Sequence, residues 1–256
     1  MEKIKKLKKI FKQFDLDGYI VPKNNSFFGE YVPAADDNLK YISNFTGSAG
    51  FAIILKNKNL MFVDGRYTTQ ATIQCGKNYK IFTIPKDYPF NVLNNKNLNL
   101  GFDPRLHTEN SLNRLFKNSF IKLKPINKNL IDLIWVRKKD LNIKPFYLIK
   151  DLDAGEKFEN KLSRLKKKIE LNKADFLFTT ASENIAWLLN IRGCDTDYSP
   201  LPNSHAFIDK NKSVVLFCNL KKIKKSFKTK LNKTIKIYDL NQLPAFIANL
   251  FNKNIL

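Results

Sequence analysis

Two stretches of this chain follow one script, and that repetition limits the fold more than any single motif. In the first, Ile4, Leu7, Phe11 and Phe14 sit at helical spacing and lead into the apolar run Gly18-Tyr-Ile-Val21. Next comes Leu39-Lys-Tyr-Ile-Ser-Asn-Phe-Thr-Gly47, then two apolar runs, 51–55 and 60–63, that turn on Lys56-Asn-Lys-Asn59. In the second, Phe158, Leu162, Leu165 and Ile169 lead into Asp175-Phe-Leu-Phe178. Then come Ile185-Ala-Trp-Leu-Leu-Asn-Ile-Arg-Gly193 and two further apolar runs, 206–209 and 214–217, turning on Lys210-Asn-Lys212. Both helical segments end in Asn-x-x-Gly, where the glycine suits a left-handed turn. The shared order predicts two copies of one α/β unit, each a mixed sheet flanked by helices.

Local signals fill in the rest. Asp37 is placed to cap a helix over 38–43, and Gly76 stops one over 67–75. Strands are expected at 79–84, 99–103 and 120–123, with a helix at 109–117 and one or two helical turns over 129–136. Arg137-Lys-Lys-Asp-Leu-Asn-Ile-Lys-Pro145 is polar and proline-ended. The expected organisation is therefore a first domain over 1–136, a linker over 137–150 and a second domain over 151–256. In the second, Ser182 is a candidate N-cap for the helix 182–189, Trp187 is a core residue of that helix, and 235–238 and 243–251 read as strand and helix. Asn254-Ile-Leu256 begins a strand, so the second domain is expected to be C-terminally truncated, since such an edge wants a partner.

Charge and cysteines narrow the function. The net charge is +22. The lysines are scattered, with clusters at Lys3–Lys12 and Lys221–Lys230 that read as solvated helix faces. No nucleic-acid motif accompanies them, so the charge favours an acidic partner over nucleic acid. No apolar run nears the roughly 18 residues that span a bilayer, and the basic start has no signal-peptide core, which points to the cytoplasm. Cys75, Cys194 and Cys218 are far apart and read as buried free thiols. There is no Gly-x-Ser-x-Gly elbow, and His107 and His205 lie outside carboxylate-rich segments. No catalytic residue and no metal ligand is expected in this chain.

Several segments together resemble a known family. Phe45-Thr-Gly-Ser-Ala-Gly50, Val63-Asp-Gly-Arg-Tyr67 with Gln70-Ala71, Glu30-Tyr-Val-Pro33, Gly101-Phe-Asp-Pro104 and Leu130-Ile-Asp-Leu-Ile-Trp135 are similar to the first domain of Xaa-Pro aminopeptidases, the creatinase/prolidase N-terminal type. Thr180-Ala-Ser-Glu-Asn-Ile-Ala-Trp-Leu-Leu-Asn-Ile-Arg-Gly193, followed by Asp195 and Pro200, is similar to the second. The resemblance implies two tandem, internally duplicated α/β domains of a three-domain enzyme that removes the residue before a penultimate proline. It also implies that a third domain, absent from this sequence, holds two divalent metals, usually manganese.

On that resemblance, the chain is expected to be the non-catalytic front of such an enzyme, supplying part of the substrate cleft and contacts of a homodimer. Arg66 is the substrate-binding candidate, with an ion pair to Asp64 as its structural alternative. Arg192, Asp195 and Asp197 are candidates to meet the missing catalytic domain. Tyr67 is read as packing, and Gly47, Gly50 and Gly65 as conformational. A catalytically dead partner-binding module and a basic nucleic-acid-binding protein remain the alternatives.

Overall fold

The helical spacing of residues 4–14 is realised as α1 (Glu2–Ile10), which tightens into a 3-10 turn at Phe11–Phe14 and ends on left-handed Asp15 (φ 51°). The computed structural model describes residues 2–93, 97–137, 143–211, 213–231 and 233–256. The chain divides into two units, Met1–Lys139 and Asp140–Leu256.

The first unit continues with β1 (Gly18–Pro22), α2 (Asn38–Ser43), β2 (Gly50–Leu55), β3 (Asn59–Asp64), α3 (Thr68–Cys75) and β4 (Lys80–Ile84). It closes with α4 (Pro89–Val92), β5 (Asn99–Phe102), α5 (Glu109–Phe116) and β6 (Lys122–Pro125). The six strands form one sheet in the order β4-β3-β2-β1-β5-β6. The hairpin β2–β3 and the pair β1–β2 are antiparallel; the other pairs are parallel. Because strand side chains alternate between faces, Tyr19, Val21, Ala52, Ile54, Met61 and Val63 pack with α1, α2 and α3. Ile20, Ile53, Leu55, Leu60 and Phe62 pack on the opposite face with α5. The central strands are buried on both sides, which is why they read as continuous apolar runs and not as alternating ones.

The second unit contains β7 (Tyr147–Leu148), α6 (Asp151–Ala154), α7 (Phe158–Leu171), β8 (Phe176–Thr179), α8 (Ser182–Leu189) and β9 (Ile191–Arg192). After these come β10 (Ser204–Asp209), β11 (Val214–Cys218), α9 (Lys225–Lys230), β12 (Ile235–Asp239) and α10 (Leu243–Ala248). Its main sheet runs β12-β11-β10-β8, with β10 antiparallel to both neighbours and β12 parallel to β11. This repeats β4-β3-β2-β1 strand for strand. Ile255 bridges Phe176 in parallel, as Leu100 of β5 pairs with Gly18 of β1. One sheet face carries Ala206, Ile208, Val214 and Leu216 against α7 and α8. The other is aromatic: Phe207 stacks on Phe178 at 4.3 Å and meets Phe246 at 5.1 Å between ring centroids.

Several expectations shift. The strand expected at 120–123 is β6, two residues later, in register Asn99↔Lys122 with β5. Phe120 is left exposed, and Pro125 is tolerated because β6 is an edge. The segment 129–136 forms turns and not a helix, because the Asn129 side-chain oxygen takes the Ile131 N–H at 2.9 Å. In the expected linker 137–150, residues 138–142 lie outside the described set. Phe146 is buried in the second unit's core, and Tyr147–Leu148 pairs with Ile191–Arg192. The hairpin turn at Lys212 also falls outside the described residues. Ser182 is the first residue of α8 and not its cap; its hydroxyl faces the Asn203 side chain at 3.4 Å. Trp187 is 50% exposed, because Ile185, Leu188 and Leu189 occupy the inward face of α8. Cys75 and Cys218 are buried, but Cys194 is exposed, in the loop after Gly193.

The Asn-x-x-Gly endings work differently from the sequence expectation. The left-handed residue is the asparagine, Asn44 (φ 64°) in one unit and Asn190 (φ 53°) in the other. The glycines are required by close packing. A Cβ on Gly47 would sit 2.3 Å from the Phe45 ring, and one on Gly193 would sit 2.7 Å from the Leu201 carbonyl oxygen.

Candidate functional site

The turn after β3 builds the strongest candidate. Asp64 ends that strand, and its Oδ1 accepts both the Arg66 backbone N–H at 3.0 Å and the Arg66 Nε–H at 2.8 Å. One carboxylate oxygen thus closes the 3-10 turn Gly65–Tyr67 and orients the guanidinium. The Arg66 side chain remains 74% exposed. Arg66 holds the Asp64 carboxyl below its usual range, and Asp64 raises Arg66 in return. The guanidinium carbon lies 5.6 Å from the centre of the Tyr67 ring.

Tyr67 packs its ring edge against Phe45, and its hydroxyl meets the Ser48 hydroxyl at 2.8 Å. It therefore packs, as expected, and also ties down the glycine-bearing loop. Thr46 anchors that loop to α3: its N–H donates to Gln74 Oε1 at 2.8 Å, and its hydroxyl accepts from Gln70 and Gln74. Gly50 is needed because a Cβ there would lie 2.9 Å from the Phe62 carbonyl oxygen, whereas Gly65 has no neighbour closer than 3.6 Å. The result is an exposed cation on a stiff turn beside a close-packed loop. Such a guanidinium can receive a carboxylate or a carbonyl oxygen, since only part of its donor fork is taken.

The three remaining candidates lie in the second unit. Arg192 Nη1 donates to the carbonyl oxygens of Ala186 at 2.8 Å and Ile191 at 2.9 Å. Asp195 has a side chain only 3% exposed. Its carboxylate accepts the Asn203 N–H at 2.7 Å and pairs with Lys222. That carboxylate is engaged inside its own unit, stitching the loop 193–203 to the turn after β11. Asp197 is exposed.

The histidines sit in apolar settings. His107 meets Phe102 edge-on at 5.8 Å, its Nε2 is buried with no hydrogen-bond partner among the described residues, and burial pushes its pKa down to about 4. His205 is buried beside Phe178, and burial lowers it too. Among the described residues no group of three His, Cys, Asp or Glu is placed to hold a metal ion. Among those residues His107 and His205 each face an aromatic ring, Phe102 and Phe178, and not a cluster of carboxylates.

Two features escaped the sequence reading. A cleft of about 180 Å³ in the first unit is lined by Asn25, Asn38, Asp103, Arg105, Asn129 and Arg137. Buried asparagines beside apolar positions were its only sequence signal. In the second unit, Lys161 is 1% exposed, and its ammonium donates to Trp187 O at 2.7 Å and Asn190 Oδ1 at 2.6 Å. Its signal is phase: position 161 falls on the apolar face set by Phe158, Leu162, Leu165 and Ile169.

Known proteins share both units. Residues 3–132 and 137–256 each match a creatinase/prolidase N-terminal domain. The chain is 29% identical over 255 residues to a probable Xaa-Pro aminopeptidase P of Coprinopsis cinerea, covering 95% of this chain and 41% of that protein. It is 30% identical to Xaa-Pro aminopeptidase 1 of Dictyostelium discoideum, covering 97% of this chain and 42% of that one. The crystal structure of X-prolyl aminopeptidase from Caenorhabditis elegans, described as a cytosolic enzyme with a di-nuclear active site, superposes with a TM-score of 0.89 at 26% identity. It covers 97% of this chain and 43% of that enzyme. The chain thus spans about two fifths of the length of these relatives. No helix among the described residues is long and apolar enough to cross a membrane. With both units matched in order, the chain belongs to the creatinase/prolidase N-terminal domain family and carries two such domains in tandem.

Proposed function

We propose that this chain is the non-catalytic front region of a metal-dependent cytoplasmic aminopeptidase that removes the residue before a penultimate proline. The observation that carries this reading is the match of 97% of the chain to an X-prolyl aminopeptidase at a TM-score of 0.89. In this reading the bond-breaking chemistry belongs to a catalytic region equivalent to the rest of the relatives' length. Two divalent metals there, manganese in this proposal, supply Lewis acidity and an activated water.

This chain's own residues bind and orient. Asp64 holds Arg66 so that the open side of the guanidinium meets a peptide carbonyl or carboxylate. The Thr46 anchor and the close-packed Gly47 keep the neighbouring loop stiff as a wall of the cleft. Arg192, Asp197 and the loop fixed by Asp195 face the catalytic region, and the first unit contributes to a homodimer. A second reading, a catalytically dead module that binds an acidic partner, draws on the net charge of +22.

A chimaera tests the first reading: residues 1–256 replace the corresponding region of the Caenorhabditis elegans enzyme. It is expected to keep releasing the residue before proline. In it, Arg66→Ala is expected to raise KM about tenfold with little change in kcat, as for loss of a charge-assisted hydrogen bond used in binding. A folded but inactive chimaera would sink the reading, and an unchanged KM would remove Arg66 from it.

A further inference from the structure

The second unit carries a basic groove that the peptidase reading leaves unused. Between Lys221 and Lys230 the sequence has six lysines and no acidic residue. Among the described residues, only Lys222 of these six forms an ion pair, with Asp195. Lys224 and Lys230, at the two ends of α9, are exposed and border a groove of about 200 Å³ between α9 and β7. Its floor is apolar. Phe146 is 2% exposed and Phe227 5%, their ring centroids 6.5 Å apart, and Leu148 lies beside them. Tyr147, 45% exposed, and Ser226 complete the rim.

Three observations select the occupant. First, unpaired ammonium groups over an apolar floor ask for a ligand that joins negative charge to an apolar body. Second, the volume is that of one or two aliphatic side chains, and a single exposed aromatic ring does not make the series of stacking platforms that a nucleic-acid strand uses. Third, the groove runs along a strand edge. Phe146 N–H already donates outward to Lys222 O at 2.9 Å. By the period of two, the next outward backbone groups belong to Leu148, which lines the groove.

We propose that the groove between β7 and α9 binds an acidic peptide segment of a partner protein, with an apolar side chain seated on Phe146, Leu148 and Phe227 and its carboxylates meeting Lys224 and Lys230. The segment would lie extended along β7, in the manner of strand addition.

The test uses fluorescence polarisation with the 256-residue chain and a short labelled peptide of alternating Glu and Leu, at moderate salt. Binding is expected to saturate and to weaken about tenfold, worth 1.4 kcal/mol, in Lys224→Glu/Lys230→Glu. It should weaken similarly in Ser226→Trp, which fills the groove without changing charge. Lys5→Glu/Lys9→Glu, a double reversal in the other lysine cluster, should leave it unchanged. All of these positions are exposed, and an unaltered melting temperature confirms that each variant is folded. Equal weakening by the Lys5/Lys9 reversal, or indifference to Ser226→Trp, would show net charge alone and overturn the proposal. So would single-stranded DNA binding more tightly than the peptide and being lost with Lys224 and Lys230.

Discussion

Two polar side chains in apolar surroundings, His107 and Lys161, are accommodated in opposite ways. His107 is kept neutral against Phe102, with a folded-state pKa of about 4 against about 6.5 unfolded. Between those values the unfolded chain binds more protons, so stability rises with pH through the window and is lost as pH falls from about 6.5 to about 4. The full effect is at most about 3 kcal/mol. His107→Phe is expected to flatten that stretch of the stability–pH curve in urea titrations; an unchanged slope would remove His107 as its source. Lys161 behaves differently, as a buried cation satisfied by Trp187 O and Asn190 Oδ1. Lys161→Met should cost about 2 kcal/mol, because both acceptors lose a charged donor; chemical denaturation reads it directly. Residues of this kind were hard to see in the sequence. Lys161 is one lysine among many, and only its helical phase marks it. Asp37, by contrast, was legible as a cap, and its side chain does accept the Lys40 N–H at 3.0 Å.

Elements were legible wherever local chemistry and packing agree. The span of β1, the long helix α7 and both hairpins follow from apolar runs bounded by turn residues, and all lie at the heart of a sheet or on its face. Elements fixed by distant partners were not. The register of β6 is set by β5, and β7 exists because β9 is there to pair with it; neither partner is near in sequence. The helix endings show the same limit, since the repeated Asn-x-x-Gly was visible while the division of labour within it was not. Asn44 and Asn190 take the left-handed turn, where a β-branched residue is disfavoured by roughly 1–2 kcal/mol. Asn44→Val should therefore lower stability by about that amount. Asn44→Gly should be near neutral, because glycine accepts the same conformation. A thermal melt of the two variants separates them; equal losses would show that the Asn44 side chain, and not its backbone, matters there.

At the scale of the whole molecule the duplication is the organising fact. Each unit uses one strand order, with a helix that ends on a left-handed asparagine and a hairpin that supplies the central strands. The first unit extends this plan with β5 and β6, while in the second Ile255 takes the place beside β8 that Leu100 takes beside β1. The candidate groups divide between the units: Arg66 in the first, and Arg192, Asp195 and Asp197 in the second. Neither unit offers a metal-binding cluster among its described residues. In the proposed function this chain orients and binds, and the hydrolytic step belongs to a catalytic region equivalent to the rest of the relatives' length. The most direct test is to incubate the purified 256-residue chain with a peptide whose second residue is proline, with and without manganese. No release of the first residue above the blank is expected under either condition. Manganese-dependent release that scales with chain concentration and stops with a chelator would contradict the account.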